Sequence, residues 1–305
     1  GEKLDLETSY LRLKLRGITS RGITSRGITS SRGSGFGVQD SGVEVYEIEE
    51  ILNQKQEEVS PNLLLVTGES GAGKTTMLKH LAYQTSMGKG IRPIPVFITI
   101  TEWMETNLSL VEYIFACISQ EVSPEPRIPN PEPRNEVSPQ NGGICPLEFI
   151  ENKLANGKFL ILLDGFDEEP KKQTEVKEQI LTFINHPGYK SNKIVITSRH
   201  RITGLANFKE FEILELTPLQ QRLFLEGLVS RESDFDFEKC KELIMAMEQN
   251  SKITHLTKNP LLLTLVYIIF KHALVLPQRQ IEIYELCLDS MLKNSALGSK
   301  VQQIE

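Results

Sequence analysis

Residues 63–76 read Leu-Leu-Leu-Val-Thr-Gly-Glu-Ser-Gly-Ala-Gly-Lys-Thr-Thr, and they indicate the fold class. The segment Gly68–Thr75 has the pattern G-x-x-x-x-G-K-[ST], and the apolar residues before it predict a buried strand. Apolar residues at helical spacing in 77–82 predict a helix after it. Strand, glycine-rich loop and helix together predict a phosphate-binding loop in an α/β protein.

Each residue type in this loop is suited to binding phosphates or Mg²⁺. The glycines at 68, 71 and 73 let the main chain wrap a polyphosphate, so that N–H groups and the helix N-terminus face the anion. Lys74 places a compact positive charge on the β- and γ-phosphates, and the Thr75 hydroxyl ligates Mg²⁺. The residues that we expect to bind the nucleotide are Gly68, Glu69, Ser70, Gly71, Ala72, Gly73, Lys74, Thr75 and Thr76.

A second apolar run, residues 159–163, ends in an acidic cluster. A continuous apolar run is typical of a parallel strand that is covered on both faces. Asp164 follows it directly, and a carboxylate at the end of such a strand can hold the Mg²⁺ shell through water. Asp167 and Glu168 can orient and deprotonate a water for attack on the γ-phosphate. The residues leave open which of the two is the base, and we favour Glu168.

A third strand is predicted at residues 194–197, and it is followed by Ser198-Arg199-His200. Ligands of open α/β sheets bind outside the carboxyl ends of the strands. We therefore expect Arg199 to contact the γ-phosphate and to distinguish ATP from ADP. The alternative interpretation of Arg199 is an ordinary surface arginine.

Together these segments resemble the NACHT family of signal-transduction ATPases. The similarity lies in the phosphate loop, in FLILLDGFDE (159–168), in IVITSR (194–199) and in KNPLLL (258–263), and it extends over residues 42–294. The doubled acidic motif separates NACHT proteins from most other phosphate-loop ATPases. The resemblance implies a five-stranded parallel sheet sandwiched by helices, a small all-helical domain after it, and ATP or ADP with Mg²⁺ as ligands.

The resemblance also implies roles for individual residues. It places Asp164 at the metal and Asp167 with Glu168 in hydrolysis, and it makes Arg199 the sensor at the end of the fourth strand. It further implies that Pro260 packs on the adenine, although proline is also common at the first position of a helix for conformational reasons alone.

Composition and charge limit the functional classes. A hydrophobic content of 39% with 24% charged residues is typical of a globular chain, and a formal net charge of −6 argues against a general nucleic-acid surface. The four cysteines form no C-x-x-C pair, which favours reduced thiols in a cytoplasmic protein. The longest apolar stretch, residues 261–270, is shorter than the roughly 20 residues that span a bilayer, so we expect no membrane association.

The sequence predicts three regions. Residues 1–40 contain three tandem copies of Arg-Gly-Ile-Thr-Ser, at 16–30, and predict a flexible basic segment. Residues 41–216 predict the nucleotide-binding domain, with a proline-rich surface insertion at 121–146. Residues 217–305 predict a helical domain and the start of a truncated C-terminal module.

These features leave three functional hypotheses. The leading one is a switch in defence or stress signalling that binds ATP, hydrolyses it slowly and self-associates when ATP is bound, with effector and sensor domains outside this fragment. The alternatives are a mechanical ring ATPase that acts on DNA or protein, and a nucleotide-binding scaffold that does not hydrolyse. The negative charge argues against DNA as a partner, and the intact acidic cluster argues against the scaffold.

Overall fold

The computed structural model of the chain describes residues 13–18, 45–53, 62–88, 93–119, 146–230, 237–273, 281–282 and 285. Most of the pentapeptide repeats, nearly all of the proline-rich insertion and the C-terminal module lie outside the described residues. The predictions for those segments stay predictions.

The strands that the structure describes form one seven-stranded sheet. In chain order they are β1 (Leu15–Ile18), β2 (Val45–Tyr46), β3 (Leu63–Thr67), β4 (Ile94–Thr99), β5 (Phe159–Asp164), β6 (Lys193–Ser198) and β7 (Lys209–Ile213). Their order across the sheet is β2-β1-β7-β3-β6-β5-β4. Strand β3 pairs in parallel with β6 and β7, and β5 pairs in parallel with β6 and β4. The predicted α/β class with a parallel sheet is therefore confirmed.

The sheet has two strands more than the five predicted, at its β7 edge. The sequence predicts a flexible segment at β1, but the Leu13 and Leu15 side chains are buried. The alternation Leu-Arg-Leu-Lys-Leu-Arg at 11–16 is the period-two pattern of a strand, and the adjacent glycine- and serine-rich repeats hid it.

The described helices before the last strand are α1 (Ile48–Asn53), α2 (Lys74–Met87), α3 (Ile100–Glu105), α4 (Leu110–Ser119), α5 (Pro146–Ala155) and α6 (Gln173–Asn185). Those after it are α7 (Pro218–Val229), α8 (Phe237–Gln249), α9 (Ser251–Leu256) and α10 (Pro260–Ala273). This second group agrees with the predicted helical region. Within the described ranges, no helix has both the length and the apolar character that crossing a bilayer requires.

The chain divides into two compact units. The sheet unit comprises Arg16–Thr67 and Leu78–Glu212, and the helical unit comprises Gly1–Leu15, Gly68–Met77 and Ile213–Glu305. The sequence predicts a boundary after residue 216, and the last segment of the helical unit starts at Ile213. The phosphate loop groups with the helices that follow the sheet, which the sequence does not predict.

The core of the sheet unit surrounds β5, where every residue is buried. Asn192, which is 1% exposed, fixes the start of this strand. Its side chain accepts a hydrogen bond from Phe159 N at 3.0 Å and donates to the carbonyls of Leu154 and Tyr189, each at 2.8 Å. A buried amide with these partners ties α5, β5 and the turn before β6 together.

Helix α7 begins with a well-defined cap. The Thr217 hydroxyl accepts from Gln220 N at 3.3 Å, and the Gln220 side chain accepts from Thr217 N at 3.0 Å, which forms a capping box at the start of α7. Pro218 follows at the first helical position. The buried Gln221 side chain then donates to Thr257 Oγ1 at 3.4 Å, and so links α7 to the end of α9.

Candidate functional site

The predicted phosphate loop joins β3 to α2. Ala72 N donates to Glu69 O at 3.2 Å, so residues 69–72 form a turn. Gly71 has φ 76° and Gly73 has φ 93°, a conformation that residues with a Cβ adopt only with strain. The glycines thus stand where the main chain needs them, and the strand–loop–helix prediction is confirmed.

Lys74, the first residue of α2, folds back over the loop. Its Nζ donates to the main-chain carbonyls of Gly68 at 2.6 Å and Glu69 at 2.8 Å. Thr75 and Thr76 follow in the first turn of the helix and are exposed. A cation held by the loop, next to a helix N-terminus and two glycines with positive φ, fits a polyphosphate group.

The start of α10 lies against this loop, inside the helical unit. Asn259 Nδ2 donates to Ser70 O at 2.9 Å, and Leu261 N donates to Gly71 O at 3.3 Å. The approach is so close that a Cβ on Gly71 would lie 2.7 Å from Leu261 Cβ. Pro260 therefore belongs to a segment that contacts the phosphate loop, while its contact with adenine stays a prediction.

A residue from before the repeats also reaches the loop. Leu13 Cδ1 lies 3.0 Å from the position that a Cβ on Gly73 would occupy. Sequence reasoning missed this contact because it assigned Leu13 to a flexible segment. The alternating pattern at 11–16 is the signal that could have indicated it.

In the sheet unit, the acidic cluster begins with the last residue of β5. Asp164 is 7% exposed, and its Oδ1 accepts a hydrogen bond from Thr197 Oγ1 at 2.5 Å. The same hydroxyl accepts from Gly165 N at 3.1 Å. Thr197 therefore fixes both the orientation of the carboxylate and the main chain that follows it. Sequence reasoning treated Thr197 only as a strand residue, although a hydroxyl among apolar neighbours was a signal.

The structure brings the predicted residues Asp167 and Arg199 together. Asp167 Oδ1 accepts from Arg199 N at 2.8 Å, and Asp167 Oδ2 lies 3.0 Å from Arg199 Nε. The Asp167 side chain is 14% exposed, whereas that of Arg199 is 48% exposed. Both oxygens of Asp167 thus face Arg199, one its main-chain N–H and the other its guanidinium.

Glu168 has a different environment, although it is the next residue. Its main-chain N–H donates to Gly165 O at 3.0 Å, and its side chain is exposed. Gly165 has φ 81°, and a Cβ there would lie 2.8 Å from Glu168 Oε2, so glycine gives this carboxylate room. The Glu168 carboxylate makes no hydrogen bond or ion pair with the part of the chain that the structure describes.

Other side chains offer little chemistry. Burial raises the pKa of the Cys117 and Cys240 thiols, so both are protonated and poorly nucleophilic near neutral pH. In the described ranges, no group of three or more histidine, cysteine, aspartate or glutamate side chains could hold a metal ion. Mg²⁺ needs no such group, because it is usually bound by one or two protein oxygens together with phosphates.

Comparison with known proteins gives a family. The model of the NACHT domain matches residues 62–230, more than half of the chain, and no curated protein matches. Three solved structures show some likeness. Domain III of the replication initiation protein DnaA from Thermotoga maritima is 12% identical over 80% of this chain and 88% of that chain, with a TM-score of 0.40. The replication initiator DnaA bound to AMPPCP and single-stranded DNA is 15% identical over 80% of this chain and 64% of that chain, with a TM-score of 0.38. A signal transduction ATPase with numerous domains (STAND) with a tetratricopeptide repeat sensor from Pyrococcus horikoshii is 15% identical over 75% of this chain and 30% of that chain, with a TM-score of 0.38. The chain thus spans 64% and 30% of the latter two proteins, and at these TM-scores none of the three adds to the assignment.

The match covers three of the four segments from which the family was inferred, and KNPLLL (258–263) lies beyond it. The phosphate loop, the acidic cluster and Arg199 all lie within residues 62–230, whereas Asn259 and Pro260 lie beyond them. The chain belongs to the NACHT family of phosphate-loop NTPases, a nucleotide-binding family of the STAND class.

Proposed function

We propose that this chain binds ATP with Mg²⁺, hydrolyses it slowly, and controls its self-association through the bound nucleotide. The observation that carries the proposal is the different environment of each carboxylate after β5. Asp164 is buried and fixed by Thr197, Asp167 is paired with Arg199, and the exposed Glu168 carboxylate has no partner among the described residues. These environments support three roles: Asp164 as a ligand of Mg²⁺, Asp167 as the partner of Arg199, and Glu168 as the general base.

In the proposed complex, the main-chain N–H groups of the loop and the Lys74 ammonium bind the phosphates. Lys74 exchanges its two carbonyl acceptors for phosphate oxygens, which carry more charge and make stronger hydrogen bonds. The Thr75 hydroxyl and the Asp164 carboxylate would hold Mg²⁺, which supplies positive charge against the β- and γ-phosphates. Pro260 would pack on the adenine.

Glu168 is the proposed general base. It accepts a proton from water as the water oxygen forms a bond to the γ-phosphorus, while the bond from that phosphorus to the bridging oxygen breaks and ADP leaves. Asp167 is less suited to this step, because its protonation would remove the charge that pairs with Arg199. Of the two, Glu168 is therefore the better acceptor, because its carboxylate pairs with no other group among the described residues.

Arg199 is the proposed sensor of the γ-phosphate. Its guanidinium lies on the Asp167 carboxylate, and it is half-exposed. A γ-phosphate would compete with that carboxylate for the same cation, which gives ATP and ADP different effects on the segment after β6. A ligand shifts a conformational equilibrium only through such a difference in interaction.

The self-association, the cytoplasmic location and the role in defence or stress signalling are also part of the proposal. They rest on membership of the NACHT family and, for location, on the lack of paired cysteine motifs. The effector and sensor domains would lie outside this chain.

Light scattering of the Glu168→Gln variant tests the switch. This variant should retain ATP, so its particles should be larger with ATP and Mg²⁺ than with ADP and Mg²⁺. Glu169→Gln is a matched control, because it removes the neighbouring carboxylate and should behave like the wild type. Equal particle size under both nucleotides would contradict the switch, and strong stimulation of wild-type turnover by DNA would favour a ring ATPase instead.

A further inference from the structure

The turn of the phosphate loop has two possible orientations of its central peptide. A β-turn of type II differs from type I in the direction of the peptide between its second and third residues, and it requires a positive φ at the third residue. In the turn 69–72 that residue is Gly71, with φ 76°. The Ser70–Gly71 peptide thus has the type II orientation.

Asn259 contacts this same peptide. Its Nδ2 donates to Ser70 O at 2.9 Å, so the carbonyl points toward α10. Because a peptide unit is planar and trans, the N–H of Gly71 points to the opposite side. This N–H donates to no acceptor in the described residues, which leaves it available to an anion on that side of the loop.

The other end of the same amide caps α10. Asn259 Oδ1 accepts from Leu261 N at 3.0 Å and from Leu262 N at 3.4 Å. The cap holds the Asn259 side chain in one orientation, with Nδ2 facing the loop. A residue 189 positions away from Ser70 in sequence thereby sets the direction of a phosphate-loop peptide.

Building on the proposed function, we propose that Asn259 is a positioning residue for phosphate binding. It selects the orientation of the Ser70–Gly71 peptide in which the Gly71 N–H can bind a phosphate oxygen, and it links the loop to the first turn of α10. The residue acts through the loop and takes no part in hydrolysis. Its loss should therefore raise the KM for ATP and leave kcat nearly unchanged.

Two variants separate this role from helix capping. Asn259→Asp keeps the capping oxygen but loses the donor to Ser70 O. Asn259→Ser introduces a neutral capping side chain that is too short to reach both Ser70 O and the N–H groups at the start of α10. Each variant should bind ATP and ADP about three- to tenfold more weakly, as expected for one hydrogen bond. Agreement between the two excludes the added charge of Asp as the cause. Asn250→Ser is the matched control, since Asn250 caps α9 through Oδ1 at 3.1 Å from Lys252 N and has no bond to the loop.

Hydrogen exchange in peptides that cover residues 68–77, measured without nucleotide, provides a second readout. It should be faster in both Asn259 variants than in the wild type and in Asn250→Ser, because the turn is less restrained. Unchanged exchange, or equal loss of ATP affinity in Asn259→Ser and Asn250→Ser, would overturn the role of Asn259. If the wild type bound no ATP, the proposed function would fail, and the exchange experiment would still decide whether Asn259 orients the loop.

Discussion

One hydroxyl group, that of Thr197, determines the geometry at the end of β5. It donates to Asp164 Oδ1 and accepts from Gly165 N, and its side chain is fully buried. Thr197→Val keeps the shape but removes both bonds. We expect the Mg²⁺ concentration that half-activates hydrolysis to rise about three- to tenfold, because the Asp164 carboxylate loses its orientation. A magnesium titration of ATPase activity measures this.

Thr197→Ser is the control for that prediction, since it restores the hydroxyl and loses only a methyl group. Its Mg²⁺ requirement should be close to that of the wild type. If the valine and serine variants had the same Mg²⁺ requirement, the Thr197 hydroxyl would have no role in orienting Asp164, and the residue would contribute to packing alone.

The neighbouring carboxylates Asp167 and Glu168 should respond differently to removal of their charge. Glu168→Gln should lower kcat by about 10²–10⁴-fold, the usual contribution of a general base, with ATP affinity retained. Asp167→Asn should reduce kcat less, since it weakens the pairing with Arg199 without removing the proton acceptor. Single-turnover hydrolysis of ATP by both variants makes the comparison. A larger loss of kcat in Asp167→Asn than in Glu168→Gln would indicate that Asp167 is the general base.

Among the structural elements, the buried parallel strands were the most predictable. Strands β3, β5 and β6 each contain a continuous apolar run, because helices or loops cover both faces of a parallel sheet. The motifs that follow them in sequence therefore fell at the correct strand ends. Strand β1 was missed because its alternation of leucine with basic residues spans a few positions only and runs into glycine-rich repeats.

The contact between the phosphate loop and α10 could not be predicted from one sequence. Local patterns indicate a glycine-rich loop and a helix that starts at Pro260, but they do not pair segments that lie 189 positions apart. The same limit applies to Asn192, whose neighbours along the chain give no sign of its bonds to α5 and β5. Long-range polar contacts are determined by packing, which the local pattern does not contain.

Asn192 offers a test of how the sheet unit is held together. Asn192→Ala leaves Phe159 N and the carbonyls of Leu154 and Tyr189 without their buried partner. We expect a loss of about 2–4 kcal/mol in the free energy of unfolding, from several buried groups left unsatisfied. Urea denaturation followed by circular dichroism measures it. Asn156→Ala should change stability by less than about 1 kcal/mol, because this side chain is exposed and, in the described ranges, bonds only to Asn152 of α5.

At the scale of the whole molecule, each unit holds part of the predicted chemistry. The helical unit contains the phosphate loop and the start of α10, and the sheet unit contains the carboxylates after β5 and Arg199. Within each unit the residues that the sequence singled out lie close together, as the hydrogen bonds of Asn259 and the Asp167–Arg199 pair illustrate. Nucleotide-dependent self-association would require that nucleotide binding to these groups change the free energies of both units.

We propose above all that the loop at 68–76 binds ATP, and calorimetry with ATP and Mg²⁺ measures this binding. The wild type should bind one ATP per chain, and Lys74→Ala should bind at least roughly ten- to a hundredfold more weakly, because the loop loses a charged hydrogen bond to phosphate. Lys79→Ala, which removes an exposed cation from the same helix, should bind like the wild type. A wild-type chain without affinity for ATP, or a folded Lys74→Ala chain with unchanged affinity, would contradict the claim.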